Sequence, residues 1–509
     1  MRKGTILMNI RTFSLDRENF KAFCYLLIFS LVYVLPIILA NFYYIDDLGR
    51  LLTGRTGWDG DGRPLVSLLS IILSDGKPLM DMSPWIQILA TIVLDYALIF
   101  FAKKIIPAAS ALKIFGVAAC GYLNLFMLEN LSYKYDSLGM MLALSIFLIL
   151  FALPDSLGNK KICLASCIAV LLSLCLYQAA SGAYISLAIV ECVWLLYTKV
   201  KGNAIIQRIL LRAFSMLLGG LLYRFIVVPY YMSDNGYASA HVSLLNPLSG
   251  QGLQTWYANI SAFFSLYVDY SVTIGVMGML LLLVVYGALG HISWVVWTGR
   301  GTSIPIKLVS VIFILMVPFL LLGATIFTLT LLKEPVIAPR VMISFTVFAL
   351  FMGLMLYHVS EIKKGFYFLL VVSLACTLSF SSYYGNLLKQ QDKINTQVAT
   401  YLVYDINQIE TQKGKKFNEV TFIGTSPESQ ALILAKKKRP LFSRLIPIYM
   451  NNNWYWGGQY LSCFRTSTVK LKSGGADAAA IQALTPVRNN EFYKLYEKDN
   501  SLIIQYLSE

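Results

Sequence analysis

Long blocks of apolar residues, separated by short polar stretches, fill most of the first 382 positions. They fall at 22–40, 85–102, 114–128, 137–153, 162–178, 182–198, 213–229, 271–290, 306–330, 341–357 and 365–382. Each approaches the ~20 residues a helix needs to cross a hydrocarbon layer, where the backbone must satisfy its own hydrogen bonds. The pattern predicts a polytopic α-helical membrane protein of about 11 transmembrane helices. The first block is too long and too late for a cleaved signal peptide and is read as a span. The blocks show no internal repeat of the kind common in secondary transporters.

A different pattern follows residue 382. Residues 387–410 read as an amphipathic helix, Glu419-Val-Thr-Phe-Ile-Gly-Thr as a strand entering a turn, and Ser429 to Lys438 as a short helix. Phe492 to Leu507 reads as two strands joined at Lys498-Asp-Asn-Ser. Two units result: a transmembrane domain, 1–382, with external loops at 41–84, 129–136, 230–270 and 333–340, and a small α/β domain, 383–509.

Charge orients the chain. With the N-terminus inside, the inner segments carry Arg2, Lys3, Arg11, Arg17, Lys21, Lys103, Lys104, Lys113, Lys160, Lys161, Lys199, Lys201, Arg208, Arg212, Arg300, Lys307, Lys363 and Lys364 against few acids. The opposite loops hold more acids than bases. Such asymmetry predicts N-in, C-out, which places the small domain outside. It also accounts for much of the net charge of +15, so the excess of bases does not point to nucleic acid. A composition 57% hydrophobic and 14% charged excludes a soluble protein of this size. Cys24, Cys120, Cys163, Cys167, Cys175, Cys192 and Cys376 lie within apolar blocks, which leaves Cys463 alone in the tail and no disulfide framework there.

Candidate chemistry gathers in the external loops. Asp46 and Asp47 stand where the first span emerges into water, a costly place for two adjacent carboxylates without a task. Either could take the proton from a hydroxyl nucleophile, as glycosyl transfer requires; either could instead cap the helix beginning near Leu48. The same loop carries Arg50, Arg55, Asp59, Asp61 and Arg63, and its Leu65–Leu73 segment reads as an interfacial amphipathic helix. Asp59-Gly-Asp61-Gly lacks the further acidic ligands of a calcium loop and reads as a glycine turn, so no metal is expected. The second loop, Glu129 to Asp136, holds Glu129, Lys134 and Asp136, either as site residues or as anchors at headgroup level. In Lys333-Glu-Pro-Val-Ile-Ala-Pro-Arg340, Lys333 and Arg340 suit phosphate contacts or lipid headgroups. Lys436-Lys-Lys-Arg439 reads as a solvated face. Asp95, Glu191 and Arg224 sit inside spans and could mark an ion path. His241, His291 and His358 have no metal-ligand spacing. No Walker, dinucleotide or nucleophile-elbow motif offers a site for a soluble nucleotide-sugar donor.

Tyr43-Tyr-Ile-Asp-Asp-Leu-Gly-Arg50, Gly62-Arg-Pro64, Asp81-Met-Ser-Pro84 and Glu129-Asn-Leu-Ser-Tyr-Lys-Tyr-Asp-Ser-Leu138 resemble the GtrII-type glucosyltransferases, serotype-converting enzymes that modify bacterial O-antigen. The resemblance implies a GT-C fold and an inverting, polyprenyl-phosphate-dependent transfer. It implies a hexose donor, usually glucose, on undecaprenyl phosphate, and an acceptor sugar of lipid-linked O-antigen (lipopolysaccharide) at the periplasmic face of the inner membrane. It further implies a bactoprenol glucosyltransferase that makes the donor and a small flippase that presents it. On this reading Asp46 is the base with Asp47 as helper or cap. Arg63, Lys134 and Arg340 hold the donor's phosphate, and Glu129, Asp136 and Lys333 complete the substrate site. Rival readings are a transferase acting on lipid A or protein, and a lipid-glycan flippase or transporter, which would carry its charges at mid-membrane.

Overall fold

A computed structural model describes residues 16–200, 202–232, 243–246, 249–299, 303–452, 454–466, 470–474 and 478–507. His241 and the bases Arg2, Lys3, Arg11, Lys201 and Arg300 lie outside the described residues. The helices are α1 Arg17–Ala40, α2 Asp46–Thr53, α3 Pro64–Leu73, α4 Trp85–Ile105, α5 Ala111–Ala119, α6 Met127–Ser132, α7 Ser137–Ala152 and α8 Asn159–Leu176. They continue with α9 Ser181–Tyr197, α10 Gly202–Tyr231, α11 Gly250–Thr298, α12 Ile304–Thr330, α13 Phe345–Ile362, α14 Phe366–Lys413, α15 Gln430–Lys438 and α16 Trp456–Ser462.

Among the described residues, nine helices are long and apolar enough to cross a membrane, which makes this a multi-pass membrane protein. Two of the eleven expected spans fall short. The block 114–128 ends its helix at Asn124, whose side-chain amide donates to Met342 O, Ile343 O and Thr346 Oγ1 and so holds a non-helical turn. The block 137–153 yields α7, of 16 residues, about 24 Å at the helical rise. α7 is buried along most of its length against α4 and α8, and α5 packs on α1 and α4.

The loop expected at 230–270 is helix from Gly250 onward, and its residues 233–242, 247 and 248 lie outside the described ones. α11 is interrupted at Gly275, at φ 52° and ψ −133°, a conformation that favours glycine. Close to that break, Arg439 donates to Thr273 O at 2.8 Å, and Leu441 N–H reaches Thr273 Oγ1 at 3.2 Å. Of the run expected to be a solvated face, Lys436 pairs with Glu428 and Arg439 thus docks on the membrane domain.

α14 joins the last apolar block and the amphipathic stretch after it into one helix of 48 residues. It crosses α1 where a Cβ on Gly385 would stand 2.4 Å from Pro36 O, so only glycine permits the approach. Beyond it lies a five-stranded sheet, β1 Glu419–Ile423, β2 Lys472–Gly474, β3 Arg488–Asn489, β4 Tyr493–Lys498 and β5 Ser501–Tyr506, in the order β2-β1-β5-β4-β3. β1 runs parallel to β2 and β5, while β4 and β5 form an antiparallel hairpin turning at Asp499, which takes a left-handed φ of 53°. Ser429 caps α15, its hydroxyl accepting Leu432 N–H.

The tail does not stand apart from the membrane domain. Between α15 and α16 it returns to the loop after α1. Tyr44 donates to Leu445 O at 2.8 Å, Tyr449 donates to Tyr43 O at 2.6 Å, and the same hydroxyl accepts Ile45 N–H at 3.0 Å. Phe42 and Tyr449 stack with ring centroids 5.7 Å apart.

Candidate active site

Ile45 sets the geometry of the acidic pair. Its φ of 45° and ψ of −98° are strained for a β-branched residue and are imposed by the Tyr449 hydroxyl on its N–H. The next two side chains then diverge. Asp47 is fully buried and accepts N–H groups from Tyr44 at 3.0 Å, Lys134 at 2.9 Å and Tyr135 at 3.3 Å. It fastens the first loop to the second. Burial pushes its carboxyl up to about 8, Asp136 adding to the effect against the backbone donors and Arg50. Asp46 instead lines a cavity of about 2090 Å³ and carries no hydrogen bond or ion pair among the described residues.

The other cavity charges are mostly paired. Arg50 meets Asp136 at 3.1 Å and lies over the Trp58 ring at 4.0 Å, while Trp58 Nε1–H donates to Asp136 Oδ1 at 2.5 Å. Arg63 reaches Asp61 at 3.1 Å and Asp136 at 3.9 Å. Its position depends on the turn before it. Gly62 has φ 75°, a Cβ there would meet the Tyr223 hydroxyl at 2.4 Å, and that hydroxyl donates to Gly62 O at 3.0 Å. Gln178 completes the clamp by donating to Asp61 O and to Tyr223 Oη, each at 2.9 Å. Asp59 accepts the Ser67 hydroxyl, so the Asp59–Gly62 stretch is a pinned turn.

Arg340 bridges the far side. Its N–H and Nη1 donate to the two oxygens of Glu129 at 2.8 and 3.0 Å, and Nη1 also donates to Tyr133 Oη at 2.8 Å. Burial raises the Glu129 carboxyl, with Arg340 opposing. Arg55 and Arg224 line the cavity as well, and no ion pair holds either among the described residues. Arg224 sits in a π-helical turn, Tyr223–Val227, of a kind frequent at functional sites.

One wall of the cavity is apolar, with Val170 and Leu174 of α8, Met216, Leu217 and Leu221 of α10, and Leu329 of α12. Another part of the lining comes from the tail, with Asn451, Asn452, Trp454, Tyr455 and Trp456.

Of the residues expected from sequence, Asp46, Arg63, Glu129 and Arg340 line the cavity. Asp136 sits behind it and holds Arg50. The rest are displaced. Lys134, 2% exposed, turns to Asn41 at 2.7 Å and Asp81 at 3.0 Å with its ammonium 3.7 Å from the Tyr43 ring centroid, so it braces the loops. Lys333 is exposed and off the cavity. The stretch 129–136, expected as a watery loop, is buried almost throughout and packs as α6 and a turn. Asp95 is held by Ser30 at 2.5 Å and Tyr122 at 2.7 Å, and Glu191 by Arg212 at 2.9 Å. These local partners account for both carboxylates. The tail's contribution was missed, although Asn451-Asn-Asn-Trp-Tyr-Trp456 is a dense run of amides and rings in an otherwise ordinary domain.

Fold and cavity together define a multi-pass membrane protein built around one large chamber with a charged end and an apolar wall. The family model for glucosyl transferase GtrII matches residues 35–351, and the chain belongs to that family of glucosyltransferases. It is also 26% identical over 443 residues, 84% of this chain and 86% of the relative, to an uncharacterized 55.3 kDa protein in the gtrB 5′ region of Salmonella phage P22. No solved structure matches the chain.

Proposed function

We propose that the protein is an inverting GT-C-type transferase that moves glucose from undecaprenyl phosphate to lipid-linked O-antigen at the periplasmic face of the inner membrane, converting serotype. Asp46 carries this reading. It is the cavity carboxylate left without an internal partner among the described residues, and it shares the cavity with apolar side chains of α8 and α10 and with Arg55, Arg63, Arg224 and Arg340.

The prenyl chain lies along the apolar wall of Val170, Leu174, Met216, Leu217 and Leu221. Its phosphate meets Arg63, Arg340 and Arg224. The acceptor hydroxyl attacks the anomeric carbon from the side opposite the phosphate, and Asp46 takes the hydroxyl proton as the new C–O bond forms. The anomeric C–O bond breaks, its electron pair leaves with the phosphate monoester, and the arginines hold the added negative charge more tightly at the transition state than in the ground state. Lys134 and Lys333 stand away from the cavity and take no part in this scheme. Every step uses side chains of this chain. A bactoprenol glucosyltransferase and a small flippase supply the donor.

Two measurements test the reading. Mass spectrometry of O-antigen repeats should show one added hexose in cells carrying the protein, and the purified protein should transfer glucose from undecaprenyl-phosphate glucose. An unchanged repeat mass would refute it.

A further inference from the structure

We infer that Asn451, Asn452, Trp454, Tyr455 and Trp456 of the tail form the acceptor-glycan subsite, an aromatic and amide wall that seats a sugar ring of the O-antigen repeat beside Asp46; this rests on the transferase reading above. The segment's placement is the first argument. Trp456 packs over α2 at Gly49, where a Cβ would lie 3.5 Å from its ring. Gly49 is three residues on from Asp46, so ring and carboxylate share one helix face. A base that takes the acceptor's proton must touch the acceptor, and Trp456 is the neighbouring surface.

Chemistry is the second argument. The loops and helices of the membrane domain bring Arg50, Arg63, Arg224 and Arg340 to the cavity, groups for a phosphate. The tail's cation at the cavity, Arg444, pairs with Asp269 at 2.9 Å, and the stretch from Asn451 to Trp456 brings neutral rings and amides. Tyr455 stands edge-on to Trp456, centroids 5.2 Å apart and planes at 74°, which makes a right-angled corner, and Tyr455 is 48% exposed. The face of an aromatic ring is electron-rich and attracts the polarised C–H groups of a sugar, while amides such as that of Asn452 pair with its hydroxyls. The wall is also held in place: Trp454 stacks on Tyr449 at 5.7 Å, and Tyr449 is tied to Tyr43 and Ile45. The wall lies outside residues 35–351, the stretch that the family model matches.

The test uses the full-length protein in detergent, with undecaprenyl-phosphate glucose as donor and the host's lipid-linked O-antigen repeat as acceptor, each varied in turn. Tyr455→Ala and Trp456→Ala should raise the acceptor KM roughly five- to tenfold and leave the donor KM unchanged. Trp456→Phe should recover part of the loss. Tyr455, being exposed, reports on binding even where Trp456→Ala fails to fold. Transfer by the wild type with acceptor KM unchanged in the Tyr455 and Trp456 variants overturns the inference and leaves the transferase reading intact. A shift in donor KM alone assigns the wall to the donor, and weakened retention in liposomes with normal KM values makes it an interfacial aromatic belt; both overturn it. If the wild type transfers nothing, the transferase reading itself fails.

Discussion

Replacing each member of the Asp46–Asp47 pair should separate chemistry from architecture, because the two carboxylates have opposite surroundings. Asp46→Asn removes a proton acceptor and no hydrogen bond, since Asp46 makes none among the described residues. Its folding stability should therefore stay within about 0.5 kcal/mol of wild type, as for substitutions away from structural contacts. Turnover should drop by the ~10² to 10⁴ that general base catalysis supplies, about 3–5 kcal/mol of barrier. Asp47→Ala does the reverse. It strands the N–H groups of Tyr44, Lys134 and Tyr135 in a site where Asp47 is 0% exposed. At about 1–3 kcal/mol for each buried donor left unsatisfied, the loss approaches the whole stability of an ordinary domain. Asp47→Asn keeps one acceptor oxygen and should fall between. Thermal unfolding in detergent and glucose transfer at saturating donor, measured on the same preparations, give both axes. Near-normal turnover in Asp46→Asn, or unfolding of Asp46→Asn with Asp47→Ala intact, would refute the assignment.

The remaining predictions concern the arginines, the lysines and the orientation. Arg340→Met leaves the buried Glu129 without its countercharge and should cost about 3–5 kcal/mol of stability, while Arg340→Met combined with Glu129→Gln should regain most of it yet stay inactive in transfer; recovery of transfer by the double variant would remove Arg340 from the phosphate site. Lys333→Ala should leave donor and acceptor KM unchanged, whereas Lys134→Met should lower the melting temperature with the donor KM of the surviving protein unaltered. Alkaline phosphatase fused after Gly414 should be active, and fused after Lys161 or Lys364 inactive; activity at either of the latter points contradicts the N-in, C-out arrangement.

The sequence by itself determined what local burial determines. Apolar blocks became helices because a backbone removed from water has to bond within its own segment, and the strand and turn signals at Glu419, Ser429 and Lys498 fell on β1, the α15 cap and the β4–β5 hairpin. It also located the acidic pair and the GtrII motifs around it. Tertiary structure alone decided which acid faces the cavity. Neighbouring side chains on a helix point about 100° apart, and the orientation is set by Ile45, which is fixed by Tyr449 from a position 404 residues later. The same holds for Glu129 to Asp136. Its charges look like those of a watery loop, yet they are buried because Arg340, Arg50 and Asp81 arrive from elsewhere to compensate them. His291 and His358, unrelated in sequence, stand with ring nitrogens 2.9 Å apart. Hydropathy records how much water a residue avoids; which polar group answers it across the fold depends on chain closure over hundreds of residues, and that is where the cavity and its tail-built wall come from.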